Sequence, residues 1–409
     1  MGLFSSRNKA VRYGAIIDVG SASVMSAVIR SDVNSSHPEV IWSKRDYVSL
    51  KDVTTVEQSA KNVMTSLVNS VLALGNEGMK KLLSVDPSGS VRHLQVSVSA
   101  PWSYTITKSV NFTDDTPFEI TRELVADLTH TAREKTMEEL NENDLVEELG
   151  LEVITRTTTD LIVNGYRSEE PFGEQATSLS LAHVSAVAQR TIIETVADVQ
   201  QKILPKAEAE RYSFMLIFYC VLRELYPSAT EFCLIDVTYE ATEIGIVREG
   251  VLRYTTHTPF GSYSIARELA AILDIPKEQA FSMMKAHNDE FIQNVPKTKL
   301  DEVTRLLTNY EAKVTELFQQ TGDALSIPKT IFLHGGLYLE EFFKNHISNA
   351  ALVATKGNHM VHQVTGEMLT KNYEPEVKRQ LLAEVPDTSL LVSAQFFHKQ
   401  HHCQDFEQL

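Results

Sequence analysis

The sequence predicts an α/β protein of two similar halves with a small α+β module inserted into the first. Three observations carry this. A strand–turn–strand unit with an Asp near the tip of its first strand occurs twice, at residues 13–29 and 231–248. Within it Ile17-Asp18-Val19 and Ile235-Asp236-Val237 hold equivalent places, 236 − 18 = 218 residues apart. Between the two units lies a stretch of different character, where strand-like and helical patterns alternate outside the repeat.

Each element follows from local chemistry. Residues 13–20 are an apolar run ending in Asp18, Val19 and Gly20, and 24–29 are a second β run after the polar stretch Ser21-Ala22-Ser23. That is a hairpin, whereas dinucleotide and Walker-type phosphate loops lead from a strand into a helix. A third strand follows at 39–47. Residues 56–74 place Val56, Ala60, Val63, Met64, Leu67, Val71 and Leu74 on one helical face. Residues 93–100 alternate like a strand until Pro101-Trp102, 120–137 form an amphipathic helix, and the acidic 141–150 read as a solvated helix or loop. Strands at 151–158 and 160–164 come next, with Gly165 and Pro171-Phe172-Gly173 as turns, then a helix at 191–203.

The second half repeats the order. Thr238 to Ala241 make the turn, 242–248 the return strand, and Glu249-Gly250 a two-residue turn into a third strand at 251–258. Helices are expected at 264–273 and 300–318. In the latter, Leu300, Val303, Leu307, Tyr310, Val314 and Leu317 form a stripe that suits a core-facing helix better than a coiled coil. Residues 330–336 are a strand ending in Gly335-Gly336, and a helix continues over 337–345.

Composition narrows the function. Lys and Arg total 38 against 54 Asp and Glu, a formal charge of −16, which argues against nucleic acid as a general partner. Apolar residues are 43% and charged residues 22%, ordinary for a globular chain. The three cysteines (Cys220, Cys233, Cys403) form no CxxC pair, so a disulfide scaffold is excluded and a reducing, cytosolic compartment is expected. The longest apolar run, 214–222, has nine residues where a membrane span needs about 20. The N-terminus lacks a signal-peptide core. Gly2 and Ser6 fit the permissive myristoylation pattern, for which a short disordered lead-in is the preferred reading. His398, His401, His402 and Cys403 offer metal ligands, with a disordered tail preferred.

Two hairpins facing each other across a cleft suggest a phosphate site. Turn N–H groups with the Ser21 and Ser23 hydroxyls cradle phosphate oxygens. Asp18 and Asp236 hold a hydrated magnesium between them. Gly335 and Gly336 let a flat ligand approach the backbone. Any one of these signals alone is a common turn feature; their order is the specific part.

In that order the chain resembles the actin-like ATPase superfamily, and within it the SHS2-domain group of the cell-division protein FtsA and the pilus-assembly protein PilM, nearer to FtsA. Asp18-Val-Gly-Ser matches the first phosphate motif, Asp236 to Thr242 the second, and Phe332-Leu-His-Gly-Gly336 the adenosine motif. Asn164-Gly165-Tyr166, Pro171-Phe172-Gly173 and Pro259-Phe-Gly-Ser262 match further turns over about residues 13–370. The resemblance implies a duplicated actin-like (ribonuclease H-like) ATPase fold with an inserted SHS2-like module. It places the first half at 1–92 and 178–228, the insert at 93–177, the second half at 229–370 with a subdomain at about 267–325, and a C-terminal segment at 371–409. It implies ATP and Mg2+ bound by Asp18, Gly20, Ser21, Ser23, Thr238, Thr242, Gly335 and Gly336, with Asp18 and Asp236 toward the metal.

Function then follows as a cytoplasmic scaffold at the inner face of the membrane, self-associating or meeting partners of a division machinery, and at most a weak ATPase. The alternatives are a PilM-like scaffold of pilus or secretion-system assembly, and a pseudo-ATPase adaptor. A small-molecule kinase of the superfamily is a further reading for which no catalytic base can be nominated. The chain departs from the pattern twice. Met25 stands where the first motif carries a Lys, and Thr238-Tyr239-Glu240 stand where the second carries small residues, with a carboxylate that repels phosphate. The C-terminus also lacks the basic amphipathic helix by which FtsA meets membrane.

Overall fold

The computed structural model describes residues 10–48, 56–142, 150–168, 170–286, 288–321, 327–336 and 339–402. The sequence features noted at Gly2, Ser6 and Cys403, and most of the acidic 141–150 stretch, lie outside them. Elements run β1 (Val11–Val19), β2 (Ser23–Asp32), β3 (Glu39–Tyr47), α1 (Val56–Ala73), a π-helical turn at Leu74–Gly78, α2 (Met79–Val85) and β4 (His93–Val98). Then come β5 (Ser103–Glu119), α3 (Arg122–Glu142), β6 (Leu151–Val163), β7 (Tyr166–Arg167) and β8 (Gln175–Gln189), followed by α4 (Arg190–Ile203), β9 (Glu208–Ser213) and α5 (Phe214–Leu225). The second half comprises β10 (Phe232–Val237), β11 (Thr242–Arg248), β12 (Val251–Thr258), α6 (Ser262–Leu273), α7 (Lys277–Met284), α8 (Asn288–Gln293), α9 (Leu300–Gln320), β13 (Thr330–Gly335), α10 (Glu340–Thr355) and β14 (Met360–Gln363). The chain closes with α11 (Gly366–Leu369), α12 (Pro375–Glu384) and α13 (Thr388–His402).

Both halves carry the same five-stranded sheet. The first is ordered β3-β2-β1-β4-β9 and the second β12-β11-β10-β13-β14. In each, three antiparallel strands are followed by two parallel ones. The hairpins that start each sheet close through short polar turns, and Glu249 (φ 53°) with Gly250 (φ 75°) both adopt the left-handed backbone of a two-residue hairpin turn. The third sheet, β5-β8-β6-β7, has α3 on one face. Its strand β8 continues to Gln189, past the residue 177 at which the insert was expected to end.

The faces divide the core in two. Ala15, Ile17 and Val19 of β1 and Ile235 and Val237 of β10 share one continuous cluster with Trp102 and Tyr310. The opposite faces, with Ile16, Met25 and Leu234, pack on α5 and α13. Those two helices lie between the sheets, and α13 lies against β1, β2 and α5. The disordered tail preferred from sequence is therefore corrected: α13 is helical to His402, with His398 and His401 buried. Ser31 explains why polar residues go inside. Its hydroxyl lies 2.7 Å from His398 Nδ1 and 2.9 Å from His401 Nδ1, and His398 Nε2 is 3.2 Å from the Ser35 carbonyl. Burial holds His398 down to about 4, so it serves as a neutral hydrogen-bonding group.

Candidate functional site

The strand register sets the site. Asp18 and Asp236 each stand one residue before the end of the first strand in their sheet, on the α5–α13 side. Cross-strand neighbours extend each into a row. In the first sheet the row is Arg45, Met25, Asp18, Ser97 and Tyr212. In the second it is His257, Glu243, Asp236 and His334. Met25 is core, and the cation missing from the first motif stands beside it on β3 as Arg45.

Arg45 ties the first sheet to the C-terminal segment. Its Nε and Nη2 donate to the two oxygens of Asp387 at 2.5 and 3.0 Å, Nη1 donates to Ser23 Oγ at 2.8 Å, and Nη2 reaches Asp18 Oδ2 at 3.4 Å. Asp387, just ahead of α13, also accepts the Leu390 N–H at 3.0 Å, a helix-capping bond. Asp18 takes a second bond from Ser97 Oγ at 2.8 Å. Burial raises the Asp18 carboxyl, with Arg45 opposing. Burial also acts to raise Asp387, but there the Arg45 pairing wins and holds it below the usual carboxylate range.

In the second row, His334 Nδ1 donates to Asp236 Oδ1 at 2.7 Å, and Nε2 lies 3.2 Å from Thr388 Oγ1. Burial would lower this imidazole, yet the Asp236 hydrogen bond overrides it and raises it. Glu243 is 3% exposed, and burial, then Asp236, pushes it well above the ordinary carboxylate value.

The turns meet directly. Ser21 Oγ accepts the Tyr239 N–H at 2.8 Å and the Glu240 N–H at 3.2 Å. Thr238 Oγ1 donates to the Ala100 carbonyl at 3.0 Å. The Glu240 carboxylate is buried in a two-pronged pair with Arg267 at 2.9 and 2.8 Å. Thr242 Oγ1 donates to the Phe260 carbonyl, and the Gly20 N–H bonds the Ser23 carbonyl across its own turn. Gly335 ends β13 and Gly336 follows it, but the Tyr239 ring lies 3.7 Å from where a side chain at Gly336 would begin, stacked on Phe281 with an interplanar angle of 4°.

Sequence reasoning placed Asp18, Ser21, Ser23, Asp236, Thr238 and the glycine pair in one region, and the structure brings them together there. It did not find Arg45, Asp387, His334 or Glu243. The strand pairing was the available signal for Arg45 and Glu243.

The residues do not fit a magnesium nucleotide as arranged. Asp18 and Asp236 are engaged by Arg45, Ser97 and His334, the turn N–H donors are taken by Ser21, and an aromatic ring covers Gly336. Among the described residues no group of three His, Cys, Asp or Glu side chains is placed to hold a metal. None of their helices is long and apolar enough to cross a membrane.

No family model matches the sequence, and neither does any curated protein. Among solved structures the chain is similar to one from a PilM-PilN type IV pilus biogenesis complex, with a TM-score of 0.55 and 12% identity over 95% of this chain and 98% of that one. Two others are less similar in structure. Ethanolamine utilization protein EutJ from Carboxydothermus hydrogenoformans has a TM-score of 0.40 and 11% identity over 94% of this chain and 89% of its own. A Bacteroides thetaiotaomicron protein with actin-like ATPase fold and unknown function has a TM-score of 0.40 and 11% identity, covering 95% and 98%. At such identities the likeness shows the fold alone: a mixed α/β chain with the duplicated actin-like fold.

Proposed function

We propose that the chain is an actin-like scaffold of a pilus or related secretion assembly, working at the inner face of the membrane by holding a segment of a protein partner. The observation that carries this is a groove of about 780 Å3 between the third sheet and the first half. One wall is β6, whose outer side is paired by β7 only at Ile162 and Val163; the other is β9, the last strand of the first sheet. Ile154, Thr157, Arg211, Tyr212, Phe396 and Lys399 line it. Two strand edges facing one groove suit an extended segment, which gains main-chain hydrogen bonds from an edge and specificity from flanking side chains.

The similar PilM structure comes from a complex with PilN in type IV pilus biogenesis, which supports pilus assembly over division. The cleft supports an adaptor over an ATPase. The test is a deletion strain complemented with the full chain or with Thr157→Trp, which fills the groove. Loss of surface pili with normal division, restored by the natural chain and not by the variant at equal abundance, is the expected result. Filamentous, undivided cells would favour the division reading, and intact pili with normal division would refute both.

A further inference from the structure

We propose that the two halves are held shut by the chain's own side chains, Arg45 standing as a fixed cation between Asp18 and Asp387, so that closure needs neither nucleotide nor metal. The inference concerns the cleft and stands whether or not a partner occupies the groove.

Two bolts cross the cleft. The first is chemical mimicry at the turns: the Ser21 hydroxyl oxygen, from the first half, takes both N–H groups of Tyr239 and Glu240 from the second. Those are donors a phosphate oxygen would otherwise attract. The second is the ion cluster. Asp18, buried in the first sheet, and Asp387, half-buried at the head of α13, are two carboxylates drawn to one guanidinium, while Thr388 beside Asp387 meets His334 of the second sheet. Like charges at close range in a low-dielectric site repel strongly unless a cation lies between them. A guanidinium suits the place because its planar fork binds a carboxylate on two prongs and cannot lose its proton. Within the second half, Tyr239, whose backbone N–H makes the first bolt, has its ring against Gly336 and stacked on Phe281, which fixes the turn that Ser21 grips.

The consequence is specific. Removing the Arg45 side chain leaves Asp18 and Asp387 with the Ser23 and Ser97 hydroxyls around a new space. A small hydrated divalent cation takes such a set, since it needs only one or two carboxylates and keeps its waters. The variant therefore gains a cation dependence that the natural chain lacks.

Thermal melting and Mn2+ titration by electron paramagnetic resonance, on the full chain, Arg45→Ala and Arg45→Lys, test this. The natural chain is expected to melt at the same temperature with and without MgATP and to take up no Mn2+. Arg45→Ala is expected to melt lower, to take up Mn2+ where the natural chain takes up none, and to regain with it the melting temperature it lost. Arg45→Lys keeps a point charge without the fork, and should fall between the two with no Mn2+ uptake. A natural chain stabilised by MgATP, an Arg45→Ala that melts unchanged, or a folded Arg45→Ala indifferent to Mn2+ would each overturn the proposal. Should Arg45→Ala be insoluble without Mn2+, recovery of folded protein with Mn2+ supports it. Failure to recover, with Arg45→Lys as stable as the natural chain, refutes the need for the fork.

Discussion

Glu243 is the residue at which the cleft's electrostatics can be read most directly. It is buried beside Asp236 and opposite His257, whose imidazole burial lowers to about 4 and so keeps neutral. A carboxyl raised in the folded state binds more protons there than in the unfolded chain, so stability falls as pH climbs from the unfolded value toward the folded one. Glu243→Gln removes that slope. Denaturant melts between pH 5 and 9 should show the variant gaining on the natural chain as pH rises, by about 1–3 kcal/mol at the alkaline end, the scale for a buried unpaired polar group. Parallel curves would mean that Glu243 does not titrate in this window. Asp387 runs the other way: depressed by Arg45 against the pull of burial, it adds stability above its unfolded value that is lost as pH falls. At this scale the sequence was half legible. Asp18 and Asp236 stand out as strand-end acids, but Arg45 and Asp387 are 342 positions apart, and nothing local marks either.

Among the elements, α6 shows how one position fixes a turn. A Cβ on Gly261, just before α6, would lie 2.5 Å from Ala241 N and Tyr239 O and 2.6 Å from Thr238 O. These are backbone atoms that cannot swing aside, so Gly261→Ala must push α6 off the turn or drive the turn off Ser21. A loss of about 3 kcal/mol is expected from overpacking of this kind, with faster hydrogen exchange at the Tyr239 and Glu240 amides. Unchanged exchange there would mean that the turn is not held by α6. Helices with a clear apolar stripe were legible: α1 buries Val63, Leu67 and Val71, and α9 buries Val303, Leu307, Tyr310, Val314 and Leu317. The C-terminal helix was not. Its last turns carry His398, His401 and His402, which read as polar tail until Ser31 supplies a buried partner from β2.

The whole molecule depends on what its third sheet touches. On one side Thr155 Oγ1 of β6 donates to the Arg211 carbonyl of β9, in the first half. On the other, Thr107 Oγ1 of β5 donates to the Arg253 carbonyl, Thr255 Oγ1 of β12 donates to the Thr105 carbonyl, and Tyr104 stacks on His257 at 4.1 Å. The inserted sheet thus spans the edges of both halves. Duplication was visible in the sequence because each hairpin repeats its own local pattern. The bridging was not, because it joins strand edges whose side chains look like ordinary threonines. If the bridge couples the halves, they unfold together. Thr107→Val with Thr255→Val removes two hydroxyl donors and leaves two carbonyls short of a partner, a cost of about 2–3 kcal/mol. Calorimetry should then show one transition moved to lower temperature. Two separated transitions, with the third sheet melting apart from the halves, would mean that its edges rest on them without joining them, and that nothing felt in the β6–β9 groove is carried to the cleft.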